Sequence, residues 1–78
     1  MDISINQGQV VEFLEGQRFI CAQCIGKKGS RYLLLTHLGR EMNLASGRFI
    51  YVSTQQISTQ KRDRCIQELS KIYSRREA

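Results

Sequence analysis

Short apolar runs separated by glycine or polar residues dominate the chain from Gln9 to Ser53. Five such runs follow one another: GQVVEFLEG, GQRFICAQCIG, SRYLLLT, REMNL and RFIYVS. Runs of this length that are rich in Val, Ile, Phe, Tyr and Leu are typical of β-strands. Glycine between them supplies the positive φ that tight turns need. The pattern therefore predicts a compact, five-stranded antiparallel barrel.

The spacing of the apolar residues changes in the last third of the chain. From Ser58 onwards they recur at offsets of three and four, which predicts one apolar stripe along a helix. The stripe consists of Cys65, Ile66, Leu69, Ile72 and Tyr73. Ser58 or Thr59 is the candidate N-cap, although neither forms a capping box, and Thr54 is an earlier alternative start. The fold class is therefore mainly β, with one C-terminal α-helix.

Length and composition indicate one small domain. A chain of 78 residues has a thin core, and 41% hydrophobic with 24% charged residues is an ordinary globular composition. We expect residues 1–57 to form the barrel and residues 58–78 to form a helix that packs on it or leads to further domains. The first residues, MDISINQGQ, lack the features of a signal peptide, and no apolar run is long enough for a membrane span, so we expect a cytoplasmic protein.

Three cysteines are an odd number for a disulfide framework, so we interpret them as thiols. On a strand, Cys21 and Cys24 point to opposite sides of the sheet and cannot both bind one metal ion. We favour small core hydrophobes for Cys24 and Cys65. A Cys3His zinc site that adds Cys65 and His37 stays open as a weaker alternative. His37 itself is interpreted as an exposed histidine in a turn.

The net charge of +5 suits a polyanionic partner such as RNA. Lys27 and Lys28 belong to a predicted hairpin turn, Gly26-Lys27-Lys28-Gly29, where cations can reach phosphates without reading bases. Phe13 and Phe49 are assigned to the core, whereas Tyr32 and Tyr51 are possible stacking platforms. The candidate nucleic-acid-binding residues are Lys27, Lys28, Arg31, Tyr32, Arg40 and Arg48.

The carboxylates form no DxD or DxxD cluster that would hold Mg²⁺ from one loop. The chain also shows no nucleophile with an adjacent base and no phosphate-binding GxxxxGK motif. We therefore expect a binding module, with no catalytic residue, no metal site and no cofactor of its own.

Three segments carry a resemblance to a known family. They are the G-x-V-V-E-F motif at Gly8 to Phe13, the hairpin KGxRxLLLTxxGRE at Lys28 to Glu41, and the arginine-aromatic strand at Arg48 to Val52. With the charged helix that follows, this order resembles the SH3-like barrel at the N-terminus of some bacterial exoribonucleases of the ribonuclease II family. The resemblance covers residues 8–76.

The resemblance implies a parent protein that hydrolyses single-stranded RNA from its 3′ to its 5′ end with Mg²⁺. In that family the metal-binding aspartates belong to a later catalytic domain, so no catalytic role is carried over to these residues. The implied partners of the barrel are single-stranded RNA and the downstream catalytic domain of the same polypeptide. The abrupt end of the helix in SRREA fits a chain that continues.

A second hypothesis belongs to a different class, a protein-interaction or self-association module with no nucleic-acid role. Exposure of Leu33 to Leu35, or a half-buried helix stripe, would support this hypothesis. The oligomeric state and any RNA sequence preference lie beyond what the sequence indicates.

Overall fold

The computed structural model describes residues 4–58 and 61–77 and confirms the predicted fold class, a small, mainly β, barrel-like domain of five antiparallel strands followed by one helix. The strands are β1 (Gln9–Glu15), β2 (Arg18–Lys28), β3 (Arg31–Thr36), β4 (Glu41–Ala45) and β5 (Phe49–Gln56), and the helix is α1 (Arg62–Glu77). A 3₁₀ turn, Ser46–Arg48, connects β4 to β5. The strands lie in the order β4-β3-β2-β1-β5.

The longest strand, β2, belongs to both halves of the sheet. Its first part pairs with β1 and its second part pairs with β3. The register shifts between Cys24 and Gly26, which leaves Ile25 as an extra residue. Such a bulge bends the strand and increases its twist, so the sheet curls around one face.

The concave face of the sheet encloses the barrel core. All five strands contribute to it: Val11, Phe13, Ile20, Ala22, Cys24, Tyr32, Leu34, Leu44 and Phe49, with Ile5 from the preceding segment. Phe13 and Phe49 were predicted here, and both are buried. Complete burial of such a side chain stabilises the fold by about 1.5 to 3 kcal/mol, so this cluster is the main support of the barrel.

The outer face of the sheet is also apolar in its centre, and α1 covers it. This second cluster contains Val10, Cys21, Leu35, Ile57, Cys65 and Leu69, with Ile25, Ile66, Ile72 and Tyr73 partly buried around it. The predicted helix stripe is therefore confirmed residue by residue. Because β2 and its neighbours carry apolar side chains on both faces, the barrel needs this helix to exclude water from its outer side.

The helix begins at Arg62, several residues later than predicted. Thr54 lies in β5, Ser58 lies outside any helix, and Thr59 falls outside the described residues. The ladder excludes the earlier alternative, because Gln56 pairs with Gln9 and Ile57 donates its amide to Gly8 O at 2.8 Å. These bonds hold the chain extended beyond Thr54 and as far as Ile57, the residue before Ser58.

In the part of the chain that the structure describes, no helix is long and apolar enough to span a membrane.

Candidate nucleic-acid interface

The hairpin between β2 and β3 turns at Gly29 and Ser30, two residues later than predicted. Gly29 has a φ of +62°, a conformation that costs glycine little and suits a two-residue hairpin turn. Gly26 lies within β2, opposite Leu33. Lys27 and Lys28 therefore stand at the end of a strand, and the predicted turn Gly26 to Gly29 is wrong.

Lys28 and Arg31 are direct partners across this hairpin, and both side chains are exposed. Like charges in directly opposed positions destabilise a pair of strands. Arg31 donates a hydrogen bond from Nη1 to Asn43 Oδ1 at 3.1 Å, which is a neutral acceptor. In residues 4–58 and 61–77, neither cation forms an ion pair. The hairpin thus holds two adjacent, uncompensated positive charges.

Lys27 lies on the other side of the hairpin, above the ring of its cross-strand partner Tyr32. Its Nζ is 5.3 Å from the ring centre, within the range of a cation–π interaction. Tyr32 is only 4% exposed, its hydroxyl accepts a hydrogen bond from Ile5 N at 3.3 Å, and its ring lies 5.9 Å from that of Phe49. The prediction of Tyr32 as a stacking platform is therefore wrong.

Arg48 closes the 3₁₀ turn near the same end of the barrel. This turn follows Ala45, the cross-strand partner of Arg31, and it precedes Phe49, which contacts Tyr32. Segments 26–34 and 42–50, which form this end, contain no Asp or Glu. We call the cations Lys27, Lys28 and Arg31 the basic tip, with Arg48 beside it.

Arg40 does not belong to the basic tip. It lies in the turn after β3, and five residue steps of about 3.4 Å, roughly 17 Å in all, separate Arg31 from Thr36 at the other end of that strand. Its Nη2 forms an ion pair with Glu15 Oε1 at 2.5 Å. The structure thus brings together four of the five predicted cations and separates the fifth.

Two exposed aromatic side chains lie elsewhere on the barrel. Tyr51 of β5 is 47% exposed, which is compatible with its possible role as a stacking platform. Phe19 of β2 is 45% exposed. Phe19 pairs with Leu14 of β1, which is also exposed. The sequence pattern assigns no role to Leu14 or Phe19. Alternation along VVEFLE would have placed Leu14 on the outer face with Val10 and Glu12, but it does not show where the helix stops covering that face.

The prediction that His37 is an exposed turn residue is wrong. Its side chain is buried, its Nδ1 accepts a hydrogen bond from Cys21 N at 3.3 Å, and its ring stacks on Tyr73 at 4.1 Å. The reason is tertiary, since α1 passes over the turn that carries His37. The histidine therefore helps to seat the helix.

The cysteines occupy the two faces of the sheet as predicted. Cys24 faces the barrel core, whereas Cys21 and Cys65 lie beneath the helix, and all three are buried thiols. Burial raises the pKa of the Cys24 thiol, and hydrogen bonding with the backbone of Gly26 opposes this effect in part. Burial, followed by the nearby Glu68 carboxylate, raises the pKa of the Cys65 thiol. Protonated, enclosed thiols of this kind are poor nucleophiles.

Among the described residues, no group of three or more His, Cys, Asp or Glu side chains is arranged to hold a metal ion. Cys65 instead donates its thiol proton to Gln23 Oε1 at 2.8 Å. This hydrogen bond gives Cys65 a structural partner in place of the zinc ligation that the Cys3His alternative requires.

The fold and the basic tip define the class of this molecule, a small β-barrel module with a cationic hairpin and a packed helix. Comparisons of the chain with known protein families, with curated proteins and with solved structures give no match.

Proposed function

We propose that this barrel is an accessory RNA-binding module that positions single-stranded RNA, and that it is the N-terminal part of a 3′-to-5′ exoribonuclease of the ribonuclease II family. The observation that carries the RNA-binding role is the directly opposed pair Lys28 and Arg31. The link to the enzyme family rests on the resemblance of the Gly8 to Phe13, Lys28 to Glu41 and Arg48 to Val52 segments.

A phosphate group between Lys28 and Arg31 would turn a repulsive pair into two attractive contacts. Each phosphate neutralised on a single strand also releases bound counterions, which makes the affinity depend on salt. Contacts of this kind fix the position of the strand without selecting a sequence. The basic tip therefore suits a module that holds RNA for chemistry performed elsewhere.

Hydrolysis in this proposal belongs to a downstream catalytic domain, where Mg²⁺ would stabilise the charge that develops on the phosphate. The barrel contributes by raising the local concentration of RNA near that domain, since two linked sites bind the same strand more tightly than either does alone. Its own residues bind and orient, and none of them reacts.

The first test compares RNA binding by the wild-type chain with that of Lys28→Ala/Arg31→Ala. Fluorescence anisotropy with a labelled single-stranded oligoribonucleotide at several salt concentrations gives both the affinity and its salt dependence. We expect the double variant to bind more weakly, with a plot of log affinity against log salt that is less steep by about 0.7, because the one phosphate that both cations hold is lost.

The matched control is Arg18→Ala/Arg64→Ala, which removes the same charge from two exposed positions away from the tip. An equal loss of affinity in this control would show that only net charge matters. The absence of any salt-dependent RNA binding by the wild-type chain would refute the proposed function.

A second candidate function, protein interaction or self-association, is favoured by one observation. Leu14 and Phe19 form a cross-strand pair on the outer face and are 40% and 45% exposed. Of the two features that the sequence names in its support, the exposure of Leu33 to Leu35 is not met, because Leu34 and Leu35 are buried. The half-buried helix stripe is met in part, because Ile66, Ile72 and Tyr73 are only partly buried. Sedimentation velocity over a range of concentrations tests this candidate, which predicts self-association that Phe19→Ser abolishes and no RNA affinity.

A further inference from the structure

A groove runs between β5 and α1 on the outside of the barrel. It consists of two adjoining depressions of about 350 Å³ and about 290 Å³. Both are lined by Gln55, Ile72 and Arg75, so they form one continuous channel. We call this channel the β5–α1 groove.

The two walls of the groove differ in chemistry. The helix wall carries Lys71 and Arg75, which are four residues apart, exposed, and on one face of α1. The strand wall carries the hydrogen-bonding side chains Gln55, Gln56 and Ser53 and ends at the exposed ring of Tyr51. One wall is thus cationic, and the other offers amides, a hydroxyl and an aromatic face.

We propose that the β5–α1 groove is a second binding site for single-stranded RNA, with phosphates along Lys71 and Arg75 and a base stacked on Tyr51. A cationic track beside an aromatic platform is the usual arrangement in proteins that bind single strands. This inference rests on the proposed function and extends it, because it assigns roles to three residues outside the basic tip.

The groove and the basic tip are connected along β5. Lys27 covers Tyr32, Tyr32 contacts Phe49, and Phe49 is the first residue of the strand that leads past Tyr51 into the groove. Arg48 and Ile50 are exposed on the way. Tyr32 and Phe49 are buried, so the path that we propose for a single RNA strand runs over the exposed Arg48 and Ile50.

Two carboxylates also line the groove, and they limit where the phosphates can lie. Glu12 is only 5% exposed and forms part of the floor, whereas Glu68 is exposed and lies three residues before Lys71. Repulsion from Glu68 favours a backbone path close to Arg75. It follows that Glu68→Gln, which removes this negative charge and keeps the shape, should increase the affinity for RNA.

The test uses single-stranded oligoribonucleotides of about four and about twelve nucleotides, lengths that span the usual site sizes of small RNA-binding domains. We expect Lys71→Ala/Arg75→Ala to weaken binding of the long oligonucleotide, with a salt dependence less steep by about 1.4. The short oligonucleotide, which the basic tip alone can hold, should bind as tightly as before. Tyr51→Leu should weaken binding of the long oligonucleotide, whereas Tyr51→Phe, which keeps the aromatic ring, should bind it as tightly as the wild type does. Thermal melts establish that each variant is folded.

The results separate the two proposals. If Lys28→Ala/Arg31→Ala weakens binding while Lys71→Ala/Arg75→Ala behaves like the control Arg18→Ala/Arg64→Ala, the groove is not an RNA site and the proposed function stands. If the wild-type chain binds neither oligonucleotide, the proposed function fails, and the groove proposal fails with it.

Discussion

At the scale of single residues, Gln23 shows how one side chain joins three parts of the molecule. It lies on β2 beneath the helix, and its Oε1 accepts a hydrogen bond from the Cys65 thiol of α1. Its Nε2 donates to Ile57 O, in the segment between β5 and α1, at 2.8 Å. In the sequence, Gln23 is visible only as the third residue of Cys21-x-x-Cys24. Its role could not be predicted, because its partners lie 34 and 42 positions away.

Replacing Gln23 by leucine should destabilise the fold by about 1 to 3 kcal/mol. The substitution keeps an apolar volume of similar size but leaves the buried carbonyl of Ile57 without its side-chain donor, which costs the desolvation of that group. Urea unfolding followed by circular dichroism measures the effect. The control is Gln67→Leu on the exposed side of α1, which should stay within about 0.5 kcal/mol of the wild type. Equal stability of the two variants would show that the Gln23 hydrogen bonds contribute nothing.

At the scale of elements, the same two cations that destabilise the β2–β3 hairpin by mutual repulsion carry the proposed RNA-binding function. Lys28 and Arg31 repel each other across the ladder, and Lys27 covers the ring of Tyr32 on the opposite side. The cations were visible in the sequence. Their distribution over two sides was not, because it depends on the bulge at Ile25 and on the position of the turn.

Lys28→Glu should stabilise the hairpin while it weakens RNA binding. The substitution creates an opposite-charge pair with Arg31, and such cross-strand pairs contribute about 0.2 to 1 kcal/mol. Urea unfolding at low salt measures the gain in stability, and anisotropy measures the loss of affinity. The neutral control Lys28→Gln should be intermediate in both. A variant that gains stability and keeps its full RNA affinity would contradict the role of Lys28 in the basic tip.

For the helix, the sequence predicted which residues form the apolar stripe but did not predict where the helix begins. Its apolar stripe was predicted completely because a helix of this composition has one apolar side. Its start at Ser58 was predicted too early, since α1 begins at Arg62, and the alternative start at Thr54 is excluded because the pairing of β5 with β1 continues to Gln56. The burial of His37 followed from the same docking, since Tyr73 stacks on a turn that looked exposed in the sequence.

At the scale of the whole molecule, the fold could be predicted because strand-like runs, turn glycines and a change of period are local signals. The site could be predicted only in part. The sequence identified the cations of the basic tip, but the curl of the sheet decides that Tyr32 faces the core and that Arg40 meets Glu15. The β5–α1 groove has no local signal, because it forms where a strand and a helix distant in sequence come together.

The central claim is that RNA binds along the basic tip and the β5–α1 groove. Its most direct test is a nuclear magnetic resonance titration of the isotopically labelled chain with a single-stranded oligoribonucleotide. We predict that the backbone amide signals that shift belong to residues 27–31, 48 and 51–56 and to the helix near Lys71 and Arg75. Shifts concentrated around Leu14 and Phe19, or no shifts at saturating RNA, would contradict the claim.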